Sequence, residues 1–241
     1  MPRVSKLSCF ILLSPLVAAV TMFSTGCGSG GSSTSARIRF VNASTNQLSV
    51  NVLIDSVSVT SALANVGGST GYLAVKSGAR RIQIQDPTDL VFLIDTTPTI
   101  PSGDTTYIIR DRNVAGALPP PMILSDINTA PTTGNFSVRA INLAPDLNAG
   151  ADGFIVASTV ATLVGVTPTF AALPYPPTTA TYVAIAAGTG NWQAVFTPPG
   201  VPTTFDATPL AISLVAGQIE TVLLVEDAGG NKTVVPLVDV Q

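Results

Sequence analysis

In 241 residues the chain has no histidine, one tryptophan, two cysteines, three lysines (Lys6, Lys76 and Lys232) and two glutamates (Glu220 and Glu226), and only 10% of its side chains are charged. Each shortage removes a class of chemistry. Without histidine there is no usual base to activate a serine or cysteine nucleophile, and a Ser-Lys pair would rely on Lys76 or Lys232, both in expected turns. Few lysines and glutamates beside many Thr, Val, Gly and Pro work against helices. With 46% hydrophobic residues the chain is too apolar to stay unfolded through low hydrophobicity, and it is long enough for one large core or two ordinary ones. The fold class expected is all-β.

The first 26 residues read as an export signal. Arg3 and Lys6 precede the apolar run Leu7 to Val20, which is broken at Ser14-Pro15 and is followed by small residues up to Cys27. The run falls short of the roughly 20 unbroken residues of a spanning helix. This order resembles the signal of bacterial lipoproteins, which implies cleavage between Gly26 and Cys27 and lipid attachment at Cys27. Ser24 departs from the Leu-like residue of that pattern, whereas Thr25 and Gly26 fit it. The alternative is a signal cut by an ordinary peptidase, with Cys27 left as a free thiol. Residues 27–35, nearly all Gly, Ser and Thr after the cysteine, form a flexible tether. Gly28 after the cysteine, rather than Asp, resembles the pattern sent onward to an outer membrane.

Removing residues 1–26 takes away Arg3, Lys6 and Cys9, leaving nine basic against fourteen acidic side chains, a net charge of −5, and a single thiol. No disulfide can then form within the chain, and no basic patch is left for nucleic acid.

The remainder repeats itself. Ile38-Arg39-Phe40-Val41-Asn42-Ala43-Ser44 aligns without a gap on Val138-Arg139-Ala140-Ile141-Asn142-Leu143-Ala144. Gly71-Tyr72-Leu73-Ala74-Val75-Lys76-Ser77-Gly78 matches Thr181 to Gly188, Ile100 to Gly103 matches Leu214 to Gly217, and Leu124-Ser125-Asp126 matches Leu237-Val238-Asp239. Four blocks in one order indicate a duplication. The units run over 36–127 and 135–241, with the turn-rich stretch 128–134 as linker. Each has the size of a β-sandwich domain, and its seven or eight short strands predict two tandem Ig-like antiparallel β-sandwiches, with a small closed barrel as the other architecture weighed. The alternation around Asp55-Ser56 predicts a tight hairpin, and Gly78 and Gly103 mark links that need positive φ.

The opening strands with their Asn42-Ala43-Ser44 and Asn142-Leu143-Ala144-Pro145-Asp146 ends, the later Tyr-hydrophobic strands and the Gly before each penultimate strand resemble the bacterial surface family known as domain of unknown function 4397 (DUF4397). The resemblance extends over both units. It implies an exported, often lipid-anchored tandem β-domain protein and no activity. That family usually has His where Asn42 and Asn142 stand, so any role of that His is missing from this chain.

The candidate sites are few. Asp146, Asn148 and Asp152 are spaced like calcium ligands, but Gly150, Ala151 and Ala157 occupy three positions that an EF-hand loop needs, which leaves an Asx-rich surface loop as the plainer expectation and no metal or other cofactor assigned. Trp192 invites stacking on a sugar, yet it aligns with Ile82 and alternates with Ala194 and Phe196, which points it into the core. Tyr72 and Tyr182 coincide and are expected to pack. Tyr175, between Pro174 and Pro176 on an extended segment with no counterpart in the first unit, is the expected partner or ligand surface. Asn42 and Asn142 are expected to satisfy turn backbone, and Arg39 and Arg139 to be surface charges on the outer sheet face. Glu220 and Glu226 leave a carboxylate pair arithmetically open. The sequence thus leads to a lipid-anchored envelope protein, with the membrane reached through Cys27 and with a non-enzymatic structural, protein-binding or adhesion role toward an envelope protein or polysaccharide. Carbohydrate or small-ligand binding around Tyr175 is the alternative.

Overall fold

The computed structural model of the protein describes residues 35–110, 120–178 and 180–240. The expected signal over 1–26 and the expected lipid site Cys27 lie outside the described residues. The first half holds β1 (Ser35–Asn42), β2 (Ser49–Ile54), β3 (Val57–Ala64), β4 (Gly68–Ser69), β5 (Leu73–Lys76), β6 (Gly78–Ala79), β7 (Ile82–Gln85), β8 (Phe92–Thr96), β9 (Thr99–Ile100), β10 (Gly103–Ile109) and β11 (Met122–Asp126). The second half holds β12 (Asn135–Asn142), β13 (Ala151–Ala157), β14 (Phe170–Leu173), β15 (Val183–Ala186), β16 (Trp192–Thr197), β17 (Leu210–Ile212), β18 (Ile219–Glu226) and β19 (Lys232–Val240), and among the described residues its one helical element is a 3-10 turn at Pro145–Leu147.

The halves build their sheets in the same order. In the first, an inner sheet β11-β10-β1, with β4 and β5 on the far edge of β1, faces an outer sheet β3-β2-β7-β8, and the short pair β6-β9 stands apart. In the second, β19-β18-β12-β15 faces β14-β13-β16-β17. The architecture is sandwich-like and no sheet closes into a barrel. Pairing is antiparallel except at the centre of each inner sheet, where β1 runs parallel to β10 and β12 parallel to β18. The expected hairpin is present: Ile54 pairs with Val57, and Asp55 and Ser56 both take positive φ (49° and 67°), as a two-residue type I′ turn requires. Gly103 and its counterpart Gly217 sit at φ 92° and 90°, where a side chain with Cβ would be strained.

Side-chain alternation places three apolar layers against the inner sheets. Ile38, Phe40, Tyr107 and Ile109 meet Val50, Val52, Ile82 and Ile84 within the first half. Val138, Ala140, Val222 and Leu224 meet Ile155, Ala194, Phe196 and Ile212 within the second. The residues between them on β1, β10, β12 and β18 point the other way: Val41, Ala43, Ile108 and Leu124 pack on Ile141, Leu143, Leu223, Val225 and Leu237. The two inner sheets therefore lie back to back, and every residue of β18 is buried. Each large aliphatic side chain withdrawn from water in that third layer contributes about 1.5–3 kcal/mol relative to exposure. Residues 33–241 accordingly form one compact unit.

The third layer also orients the molecule. Arg39 and Arg139 precede the apolar contacts, and Val41, Ala43, Ile141 and Leu143 follow, so β1 and β12 run in the same direction. The chain enters at one pole, where Ser35 pairs with Lys76 and Ala36 with Gly103. The opposite pole carries the turns after Asn42 and Asn142 and the segments 174–178, 198–209 and 227–231.

Candidate functional site

A buried polar cluster lies in the layer between the halves, where part of the sequence reading is overturned. Arg39 and Arg139, expected as surface charges, are 3% and 0% exposed. Their sheet face does turn away from the sandwich core, but the other half covers it. The Arg39 guanidinium donates to Thr106 Oγ1 at 2.7 Å, to the Val238 carbonyl at 3.1 Å and to the Asp239 carboxylate. Arg139 donates to Thr221 Oγ1 at 2.7 Å, to the Ser125 carbonyl at 3.2 Å and to the Asp126 carboxylate. Each arginine thus stays beside the threonine of its own half and pairs with the aspartate that ends the other half.

The tyrosines complete this exchange. Tyr72 donates to Asp126 at 2.6 Å and Tyr182 to Asp239 at 2.7 Å, while the Arg39 and Arg139 guanidinium carbons stand 4.8 and 4.6 Å over the Tyr72 and Tyr182 ring centroids. Thr106 and Thr221 donate to the same carboxylates at 2.6 and 2.7 Å. Burial, above all, pushes the Tyr72 and Tyr182 hydroxyls far above the usual phenol range, so both remain donors. The packing expected of the two tyrosines is observed, with a polar duty that the alignment did not indicate. The seam is saturated with internal partners, an arrangement that holds two halves together.

Asn42 and Asn142 act as expected, in the same way in each half. Asn42 Nδ2 donates to the carbonyls of Gln47 and Leu63, both at 3.1 Å, and its Oδ1 accepts from the Ser44 N–H. Asn142 reaches Leu147, Leu173 and Ala144 in the equivalent manner. Trp192 faces the second core as expected, edge-on to Phe136 with ring centroids 5.1 Å apart, and its indole N–H donates to the Ala187 carbonyl at 3.0 Å.

Asp146, Asn148 and Asp152 do not converge. Asp152 accepts from the Ala172 and Gly200 amides at 2.7 and 2.8 Å and is buried, Asn148 is exposed, and Asp146 faces Lys232 at 3.8 Å. Among the described residues no three His, Cys, Asp or Glu side chains are placed to share a metal ion. Glu220 and Glu226 stand at opposite ends of β18, roughly 20 Å apart at strand spacing, whereas a carboxylate pair acting on one glycosidic bond sits about 5–9.5 Å apart. Tyr175 is half-buried between exposed Pro174 and Pro176, with Pro177 buried behind them. It stands near enough to Arg110, after β10, to favour that charge against the burial that lowers the Arg110 pKa.

Three of the cavities on the described surface bear on a candidate site. One of about 380 Å³ lies between Ile54, Asp55, Leu73 and Arg80, and one of about 650 Å³ between Asn128, Ala130 and the 213–218 loop. The third, about 560 Å³ at the pole opposite Ser35, is walled by Phe205, Asp206, Ala207, Thr208, Pro209, Gly230, Asn231 and Lys232. Lys232 Nζ stands 3.7 Å from Glu226 and 3.8 Å from Asp146, and donates to the Gly230 carbonyl at 3.3 Å. Asp206 Oδ2 is shielded from solvent and has no hydrogen-bond partner; burial raises the Asp206 pKa, and nearby Lys232 opposes the rise. Nothing in the sequence assembled this cleft, because its residues come from a loop and a turn joined only by the fold.

Residues 36–149 match the family described as domain of unknown function DUF4397, so the resemblance expected from the sequence is found over the first unit, the linker and the opening of the second. Comparison with curated proteins finds no match. Among solved structures, the family CBM26 protein CBMbc from Eubacterium rectale Amy13K, in complex with maltoheptaose, aligns with 83% of this chain and 96% of its own at 11% identity and a TM-score of 0.25. A leucine-rich repeat protein from Bacteroides thetaiotaomicron aligns with 81% of this chain and 27% of its own at 11% identity and a TM-score of 0.20. Likenesses this distant do not bear on function.

Proposed function

With the segment 36–149 matching a domain of unknown function of the 4397 family, we propose that the protein is a lipid-anchored, non-enzymatic binding module of the cell envelope, held at the outer membrane through Cys27. The observation that carries this reading is polar. The stretch that follows Cys27 joins the folded body at Ser35, at one pole, while the turns after Asn42 and Asn142 and the segments 174–178, 198–209 and 227–231 gather at the other. A tether of nine residues reaches at most about 30 Å, enough to hold the first pole near a bilayer and present the second outward. The reciprocal arginine seam supports the same reading, because it makes the two halves one body that a tether can present as a unit. The chemistry of the interior supports a binding role over catalysis, since the seam's carboxylates are held by arginine, tyrosine and threonine donors.

The test is metabolic labelling of the full chain with a radiolabelled fatty acid, followed by membrane fractionation. The wild-type chain is expected to take up label and sediment with membranes, and Cys27→Ser to lose both. A Cys27→Ser chain that remains equally labelled and membrane-bound would overturn the anchoring.

A further inference from the structure

We propose that Lys232 and Asp146 are the two ends of an intramolecular isopeptide bond, formed with Glu226 as the proton carrier between them. Lys232 Nζ stands 3.8 Å from Asp146 Oδ2 and 3.7 Å from Glu226 Oε2, and Glu226 Oε2 in turn accepts the Asp146 backbone N–H at 3.3 Å. As a salt bridge this arrangement is poor. Both gaps exceed hydrogen-bond length, so among the described residues the ammonium, only 14% exposed, keeps one long bond, to the Gly230 carbonyl at 3.3 Å. For joining an amine to a carboxyl group the same arrangement is suitable, since nucleophile, electrophile and a buried acid–base group share one site. The backbones that carry them are held. Glu226 and Lys232 are opposite residues in the β18–β19 ladder, and the turn joining them is fixed by Asp227, which accepts from the Gly229 and Asn231 amides at 2.8 and 2.9 Å. Asp146 sits in the 3-10 turn, where Pro145 sets φ, Leu147 packs on the second core and Asn142 Nδ2 donates to the Leu147 carbonyl at 3.2 Å. The Asp146 side chain, 66% exposed, has room to turn toward the amine.

The step balances without a co-reactant. Nζ attacks Asp146 Cγ, a C–N bond forms as one C–O bond breaks, and nothing is oxidised or reduced. Of the three ammonium protons, one stays on the amide nitrogen and two leave with the carboxyl oxygen as water, relayed by Glu226. A free amine and a free carboxylate do not condense in water, but groups held face to face react with effective molarities of roughly 10⁵–10⁸ M. Glu226 suits the relay because its side chain is 7% exposed. Burial, above all, raises its pKa and the Asp146 carboxylate adds to the rise, against the Asp146 amide and Lys232, which lower it. The cleft of about 560 Å³ that Lys232 lines opens to solvent and gives the released water an exit. The bond would tie the start of β19 to the turn after β12, at the pole opposite Ser35. It is independent of anchoring, because all three residues lie within the folded body.

Mass spectrometry of the intact full chain reads the bond as the loss of one water, about 18 Da, relative to Lys232→Arg, which keeps the charge but does not condense. Any group on Cys27 adds the same mass to both chains, so the comparison holds whether or not the protein is lipidated. Digestion of the unfolded chain after glutamate cuts at Glu220 and Glu226, between the two linked residues. In the wild-type chain residues 227–241 are expected to stay joined to the peptide that holds Asp146, and in Lys232→Arg and Asp146→Ala to be released. Glu226→Gln keeps the shape of the carrier and removes its proton relay, so it is expected to lose the bond and release residues 221–241, with circular dichroism showing the fold retained. A wild-type chain of full sequence mass that releases residues 227–241 overturns the proposal. So does a water loss confined to an unlinked peptide, as cyclisation at Asp152-Gly153 would give. A Glu226→Gln chain that folds normally and is still cross-linked overturns the role of Glu226.

Discussion

Replacing Arg139 with methionine should unsettle the whole folded body, because it breaks one arm of the seam in a place that water does not reach. The side chains of Arg139 and Asp126 are both 0% exposed. Losing one partner of such a pair costs about 3–5 kcal/mol, most of it from the buried charge left behind. Asp126 would keep the Tyr72 and Thr106 hydroxyls, each at 2.6 Å, and the more distant Arg39 at 3.9 Å. Those remaining donors favour the lower end, about 3 kcal/mol, or roughly 6–12 °C in Tm for a body of this size. Thermal unfolding followed by circular dichroism reads the shift directly, and calorimetry reads whether the wild-type chain melts in a single transition, as one compact unit should.

Two further variants fix the interpretation. Arg81 pairs with Asp95 where both side chains are substantially exposed, at 49% and 36%, so Arg81→Ala should leave Tm close to that of the wild type. The double variant Arg139→Met, Asp126→Leu removes both charges and should recover part of the loss. Recovery stays partial because the Tyr72 and Thr106 hydroxyls lose their acceptor. An Arg139→Met shift no larger than that of Arg81→Ala would refute the idea that the seam holds the halves together.

Two other outcomes follow from single buried positions. Glu220 is 2% exposed, and burial first, then the Asp239 charge, push its pKa from 4.5 to about 7. The folded state therefore holds the proton more tightly than the unfolded one, a contribution present below about pH 4.5 and lost as pH rises through about 7. Glu220→Gln should raise Tm near pH 8 and flatten the profile between those values; parallel profiles for the two chains would contradict it. Gly67 sits at φ 82° with a would-be Cβ only 2.9 Å from Val235 Cγ2, across the junction of the halves. Gly67→Ala should cost about 1–2 kcal/mol in backbone strain and a further 1–3 in overpacking, of which Val235→Ala restores only the second part. Gly71→Ala, with open space around it, is the control, and equal Tm values for the two alanine variants would rule out the close approach.

The strands and their turns were legible because they depend on neighbours in sequence. Alternation around Asp55-Ser56 is enough to demand a hairpin, and a strand ending in Asn42 or Asn142 is enough to demand that the amide meet turn backbone, since no distant partner has to be known. Arg39 and Arg139 show where such reasoning stops. Alternation correctly turned them away from the sandwich core, and assigning that face to solvent was the error, because whether a second sheet covers a face depends on residues about one hundred positions away. A signal was nonetheless present. Val222-Leu223-Leu224-Val225 is apolar on both faces, as is Phe40-Val41, and a strand that keeps no polar face is one buried on both sides. Placed on β1 and β12, directly beside such runs, a lone arginine with a matching Asp at the end of each repeat is better read as a buried pair than as two surface charges. The cleft at Asp206 left no comparable trace: Asp206 stands in the 198–209 loop and Lys232 at the start of β19, and neither the duplication nor the periodicity relates them.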